Sequence, residues 1–400
     1  MTRILDSTAP LDFIAKNGYY QIGDAITVHA GPAHQESSRT GIPIKWHFND
    51  EVYNKVDWRS RLNLPITELY RIRAQQLRDK YDYLILWFSG GADSTTILES
   101  FIQNNILLDE IVVVWPITHT VGKYTPNYNT DPSNFTSEWE LSLKPKIDWL
   151  AKNYPKIHIT LIDQFVDIGL IEDFEDTWTL CEKHSLPTIQ KQRLLDRITK
   201  ERSDTYNRVA SISGNAPPMI SILDDTWLAV YFENTAASAA NGKSDYLLDG
   251  TPREVEYFYW SPDLPELVRE QGHIILEHLN SSPQDRSLFL KRSFRTGHHD
   301  RGPLLNWDIN EARRQLIKKL VYPNWNPKTF QTRKPTDQYF QPQLYNWFWK
   351  NPESNQFLQS WQSAIRSQYS LINSSQTMMS HGINQLLSLQ SKMHVIGRLT

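Results

Sequence analysis

Cysteine is almost absent from this chain: Cys181 is the single one in 400 residues. That excludes an intrachain disulfide framework and any zinc or iron–sulfur site built on several thiolates. A strong excess of one charge is also missing. The formal net charge of −3 argues against a protein that coats nucleic acid at large. No apolar run reaches membrane-spanning length, and the first residues, Met1-Thr2-Arg3-Ile4-Leu5-Asp6-Ser7, lack a signal-type apolar segment. The expectation is a soluble cytoplasmic protein with no membrane partner. An apolar share of 40% over this length suffices for two or three units with a sizeable core.

What is present is concentrated between residues 84 and 98. The apolar run Leu84-Ile85-Leu86-Trp87-Phe88 reads as a buried strand, breaks off at Ser89-Gly90-Gly91, and gives way to a helix expected over 93–104. A strand, a glycine turn and a helix in that order make an anion site. The turn amides and the first-turn amides of the helix converge on one point, and the helix dipole favours negative charge there. Glycines at 90 and 91 permit positive φ and leave no Cβ in the way of an oxygen-rich ligand. Ser89, Ser94 and Thr95 supply hydroxyls, and Asp93 a carboxylate able to hold Mg²⁺ beside a polyphosphate. A glycine turn whose Asp merely caps a helix is the alternative. The loop is neither G-x-x-x-x-G-K-[ST], since no lysine follows the glycines, nor G-x-G-x-x-G.

Ser89-Gly90-Gly91-Ala92-Asp93-Ser94 after a hydrophobic strand resembles the PP-loop of the ATP pyrophosphatase superfamily. Asparagine, GMP and NAD synthetases, argininosuccinate synthetase, tRNA-modifying ligases and the phosphoadenylylsulfate reductases belong to it. The resemblance implies an α/β fold with a doubly wound, mainly parallel sheet of the HUP (adenine nucleotide alpha-hydrolase-like) type. It further implies ATP and Mg²⁺ as cofactors and transfer of AMP to a substrate oxygen with release of pyrophosphate. Ser89, Gly90, Gly91, Ser94 and Thr95 would grip the pyrophosphate, with Asp93 at the metal and Asp93 and Ser89 as the catalytic pair. Val114 and Trp115, at the end of a neighbouring strand, would touch the base. Ser213-Gly214-Asn215 stands where relatives carry a second glycine motif, although a plain strand-to-loop glycine reads equally well.

The rest of the chain divides into an N-terminal accessory segment (1–75), the ATP-binding domain (76–280) and a basic, aromatic-rich, mostly helical C-terminal region (281–400). A hairpin turned at Gly23-Asp24 is expected over 18–29, and an amphipathic helix over 66–80. Strands at 111–115, 157–162, 208–214 and 255–260 alternate with helices at 137–153, 186–202 and 261–279, which implies a parallel sheet with its ligand at the strands' carboxyl ends. A hairpin over 219–232 turns at Asp224-Asp225, a solvated turn in preference to a pair of metal ligands. Residues 234–253 read as a mobile loop, and the Gln/Ser-rich tail, 354–400, as one or two helices. Residues 285–334 hold 12 Lys+Arg against 4 Asp+Glu, an excess of +8, interleaved with aromatics. They could hold nucleic acid, but long cations covering an acidic main domain is the favoured reading.

The missing cysteines narrow the chemistry that the resemblance implies. Nothing after Cys181 can serve as the reductases' C-terminal cysteine, and neither a two-cysteine sulfur transfer nor a four-cysteine zinc site can be built. Thr2 stands where glutamine-hydrolysing asparagine synthetases carry a nucleophilic cysteine. An AMP-forming ligase of the asparagine-synthetase type is left, acting on an unknown small-molecule acceptor with ammonia or an amine. Stand-alone proteins of this kind occur in phage and bacterial modification pathways. Lys123 and the loop up to Glu138 could reach an acceptor, and Glu138 or Glu140 fits equally well as a first-turn acid that complements a helix dipole. His298-His299-Asp300 reads as a polar loop and Cys181 as an inert buried thiol. A catalytically silent nucleotide-binding regulator and a nucleic-acid-modifying ligase are the competing readings.

Overall fold

The computed structural model describes residues 3–5, 18–27, 30–115, 117, 138–163, 197–214, 217–232, 254–290, 305–330 and 390–400. The N-terminal part builds a small sheet from β1 (Arg3–Ile4), β2 (Tyr19–Ile22), β3 (Ala25–Thr27) and β4 (Lys45–His47), in the order β1-β3-β2-β4. β2 and β3 form the expected hairpin, with Gly23 at φ +60° in its turn. Helices α1 (Ala30–Thr40) and α2 (Asp50–Tyr53) accompany this sheet. The expected amphipathic helix is α3 (Ile66–Lys80). It buries Leu69, Tyr70, Arg73, Ala74 and Leu77, one stripe at helical spacing.

The central layer follows: β5 (Tyr83–Trp87), α4 (Ala92–Ile102), β6 (Glu110–Trp115), a π-helical turn (Trp139–Leu143) running into α5 (Lys144–Asn153), β7 (His158–Asp163) and β8 (Val209–Ser213). β9 (Met219–Leu223) and β10 (Trp227–Tyr231) form a hairpin outside this layer, and β11 (Glu254–Tyr257) returns to it. β5, β6, β7, β8 and β11 make one five-stranded sheet, ordered β11-β8-β5-β6-β7, in which every pairing is parallel. Side chains alternate between its faces, as strand geometry requires. Leu84, Leu86, Phe88, Ile111, Val113, Trp115, Ala210 and Ile212 join the main core. Tyr83, Ile85, Val112, Ile162 and Val209 form a second cluster on the opposite face, with Ile198. The result is an α/β protein with an all-parallel sheet flanked by helices, compatible with a Rossmann-like fold.

The chain continues through α6 (Pro265–Ser281), α7 (Pro283–Leu290), α8 (Leu305–Val321), α9 (Pro327–Phe330) and β12 (His394–Arg398). The last element corrects an expectation. Residues 394–398 are a strand, not part of a helical tail, and they pair antiparallel with β10 in a β12-β10-β9 sheet. Long-range pairing decided this: a built Cβ on Gly397 comes within 2.5 Å of Leu276 and one on Gly272 within 2.8 Å of Ile396, so glycines let the strand lie against α6. Residues 197–203 are helical, while 186–196 lie outside the described residues. So do 234–253 and 354–389.

Candidate functional site

The turn after β5 is shaped by its neighbours as much as by its own sequence. Gly90 has φ +75°, and a Cβ there would lie 2.7 Å from Leu143 Cγ. Both conformation and space therefore demand glycine. Its carbonyl accepts the Ser142 hydroxyl from the π-helical turn and, more weakly, that of Thr95 at 3.5 Å. Gly91 caps α4 in an extended conformation with no side-chain cap bond, and the ladder begins with Thr95 N–H to the Gly91 carbonyl at 3.0 Å. An α-helix leaves its preceding first-turn amides outside that ladder. The Ser89 and Ser94 hydroxyls lie 3.2 Å apart, and the Ser94 hydroxyl also accepts the Ser89 amide at 3.2 Å. Ser89 is exposed, Gly91 half-buried and Ser94 buried, so the turn opens to solvent on the Ser89 side.

Ser213 and Gly214 end β8, the strand beside β5. A Cβ built on Gly214 would stand 3.5 Å from the Ser94 Cα and amide nitrogen and 3.2 Å from Ile97 Cδ1. The two glycine motifs, more than a hundred residues apart in sequence, are thus in van der Waals reach. They sit at the carboxyl ends of the strand pair where the order reverses. From β5 the sheet grows to β6 and β7 on one side and to β8 and β11 on the other. Open α/β sheets bind ligands in the crevice at such a switch point. Glu138 borders the same place. It is 1% exposed, and its Oε1 lies 3.8 Å from where a Cβ on Gly91 would be.

Val114 and Trp115 end β6, one strand away. Trp115 is buried and stacks on Trp139 with centroids 6.0 Å apart, so its ring belongs to the core. Val114 is half-buried on the opposite face.

Asp93 is the residue whose surroundings the sequence did not announce. Lys318 Nζ donates to its Oδ2 at 2.7 Å, and the Tyr322 hydroxyl donates to its Oδ1 at 2.5 Å. The Tyr259 hydroxyl donates to the main-chain carbonyl of the same residue at 2.7 Å. Burial, and then the nearby Asp93 charge, raises the Tyr322 hydroxyl pKa well above the ordinary tyrosine value, so the phenol stays a donor. A magnesium ion on Asp93 fits these residues poorly, because it would stand against the Lys318 ammonium and compete with the Tyr322 hydroxyl for the carboxylate. Among the described residues, no group of three or more His, Cys, Asp or Glu is placed to hold a metal.

Other expected site residues fall elsewhere. Asp224 and Asp225 are exposed in the β9–β10 turn with φ 49° and 54°, a left-handed pair typical of a tight hairpin, in a sheet separate from that of the glycine turn. Glu140 is half-buried within the π-helical turn. Lys123, Cys181, Asn215 and His298-His299-Asp300 lie outside the described residues. Of the basic stretch, Lys318 is engaged by Asp93, and Arg313 donates to the Leu288 carbonyl at 2.9 Å while lying over the Phe289 ring. Tyr322 is buried. Two open surface pockets, of about 410 and 470 Å³, are lined around Lys55 and Arg269 and around Arg61 and His273, and no turn residue lines either.

Ser142, Tyr259, Lys318 and Tyr322 were not singled out by sequence reasoning. The only signal bearing on the last two was the local basic and aromatic excess, which did not identify a partner. No family model, curated protein or solved structure matches the chain. The chain is an α/β protein with an all-parallel sheet compatible with a Rossmann-like fold, in which Gly214 meets the glycine turn at the switch point of the strand order.

Proposed function

We propose that the turn at 89–95 binds the polyphosphate of ATP and that the chain is an adenylating enzyme of the PP-loop type. In the reaction an acceptor carboxylate or carbonyl oxygen attacks the α-phosphorus, the bond from that phosphorus to the bridging oxygen breaks, and pyrophosphate leaves. Ammonia or an amine then displaces AMP. The observation that carries this reading is the meeting of Ser89–Ser94 with Gly214 at the carboxyl ends of β5 and β8. The order β7-β6-β5-β8-β11 is the 3-2-1-4-5 order of nucleotide-binding doubly wound sheets, which supports the finer HUP-type assignment.

The chain's own contribution is charge stabilisation and position. Turn amides and the positive end of α4 face the charge that builds on the leaving pyrophosphate. Ser89 and Ser94 bond each other here, and the exposed Ser89 hydroxyl can turn its hydrogen toward a phosphate oxygen. Pyrophosphate release over a panel of acids and amines tests the reading, and formation of ADP and phosphate instead would overturn it. Ser94→Ala is expected to lower kcat/KM by on the order of 10².

One observation favours a second reading, a nucleotide-binding regulator without turnover: the first-turn carboxylate is already engaged by Lys318 and Tyr322. Calorimetry showing ATP binding with no product of any kind would select it. A nucleic-acid-modifying ligase has less support, since Lys318 and Arg313 of the basic stretch are spent on internal bonds.

A further inference from the structure

Helix α4 is buried along its length except at Asp93 and Glu99, and both reach the same segment of the C-terminal region. Asp93 holds Lys318 and Tyr322. Glu99 accepts Asn324 Nδ2 at 2.6 Å on one oxygen and Lys146 Nζ at 3.0 Å on the other. Behind them, Tyr322 packs on Tyr259 with centroids 5.5 Å apart, and the Tyr70 hydroxyl donates to the Val321 carbonyl at 2.7 Å. Gln271 donates to that Tyr70 hydroxyl at 2.9 Å. The end of α8 and the residues just after it are therefore bonded to α3 and α4 and lie beside α6, and the Lys318 contact falls on the first turn of the helix that frames the anion turn.

We propose that Asp93 is a latch: it anchors the end of α8 to the glycine turn and gives no ligand to a divalent ion. Two features argue for this. A divalent cation on Asp93 would stand against the Lys318 ammonium, which lies 2.7 Å from Oδ2, and like charges that close repel. It would also compete for the oxygen that accepts the buried Tyr322 hydroxyl. The latch makes Asp93, Lys318 and Tyr322 positioning residues. They fix the first turn of α4, and with it the direction of the turn amides, from a point more than two hundred residues away in sequence. Only the metal arm of the test rests on the nucleotide reading.

The test has two arms on the full-length chain. Hydrogen exchange without nucleotide follows the amides of 89–95. Lys318→Met and Asp93→Asn should each speed exchange there by about tenfold while leaving β5 and β6 protected, with the double variant showing less than the product of the two effects. Tyr322→Phe, which keeps the ring, should give a smaller rise, and Lys318→Arg should restore protection. Unchanged exchange in Lys318→Met overturns the latch. In the second arm, ATP binding is titrated with Mg²⁺. The half-saturating Mg²⁺ of Asp93→Asn should stay within about twofold of that of Lys318→Met, which loosens the same turn but keeps the carboxylate. A requirement tenfold higher in Asp93→Asn than in Lys318→Met overturns the proposal. If the unaltered chain binds no ATP at all, the nucleotide reading falls, and the exchange arm still decides the latch.

Discussion

Gly90 is the position where conformation and packing leave the fewest choices. Its φ of +75° strains any L side chain, and Leu143 occupies the space a Cβ needs. Gly90→Ala is expected to lower stability by about 1–3 kcal/mol and to abolish nucleotide binding, read by chemical denaturation and calorimetry. Gly214→Ala meets a gentler contact, 3.2 Å to a methyl of Ile97, and should fold almost normally while weakening the ligand. The glycine turn was legible because its meaning is local: six consecutive residues state a strand end, a positive φ and a helix start. Lys318 on Asp93 was not legible. A charged pair 225 residues apart leaves no trace in periodicity or spacing. Glu138 was legible as a candidate near the acceptor or as an acid at a helix start, and its burial against the turn is a tertiary fact.

At the scale of elements, β12 is the clearest departure from sequence expectation. Its five residues acquire strand geometry from β10 and from the two glycine contacts with α6. It also carries His394, 5% exposed and stacked on Trp58 with centroids 4.3 Å apart. Burial, reinforced by the Lys392 charge and opposed by Asp50, pushes the imidazole pKa down to about 4. The unfolded chain therefore takes up a proton below about pH 6.5 that the folded chain refuses until near pH 4. Stability should be full above that window and fall through it as pH drops, by about 3 kcal/mol in all. His273, whose pKa burial also lowers, adds to the same trend. Denaturation midpoints between pH 7 and 4 check this, and His394→Phe, which keeps the stack and cannot titrate, should flatten the profile. The strands of the central sheet, by contrast, came within a few residues of expectation, since runs such as Ile111-Val112-Val113-Val114 are apolar on both faces.

For the whole molecule, the question is what ties the parts together. Arg73 of α3 is fully buried. It donates to Glu256 of β11 at 2.8 Å and to the Tyr257 carbonyl at 2.9 Å, while Lys80 holds the other Glu256 oxygen at 2.7 Å. Arg73→Met should destabilise by about 3 kcal/mol, because it leaves a buried carboxylate short of one cation. Adding Glu256→Gln should recover part of that loss in the same denaturation assay. Lys318 and Arg313 of the basic stretch play a similar internal role. If 285–334 bound nucleic acid, removing a phosphate-contacting cation would lower the salt slope by roughly one unit. Arg313→Ala is expected instead to lower stability and leave the salt slope of any tRNA binding unchanged. Among the described residues, no helix is long and apolar enough to cross a membrane.

The sequence by itself determined the strand–turn–helix at 84–102, the alternation that yields the parallel strands, and the hairpins at 19–27 and 219–231. Each of these follows from neighbours a few residues apart, where backbone preference and hydrophobic period act directly. Tertiary structure decided which strands lie side by side, and so brought Gly214 to Ser94. It also turned the last residues into a strand, drew Trp115 into the core, and gave Asp93 to Lys318 and Tyr322. These outcomes depend on burial and on charge pairing across hundreds of residues, which no local pattern encodes.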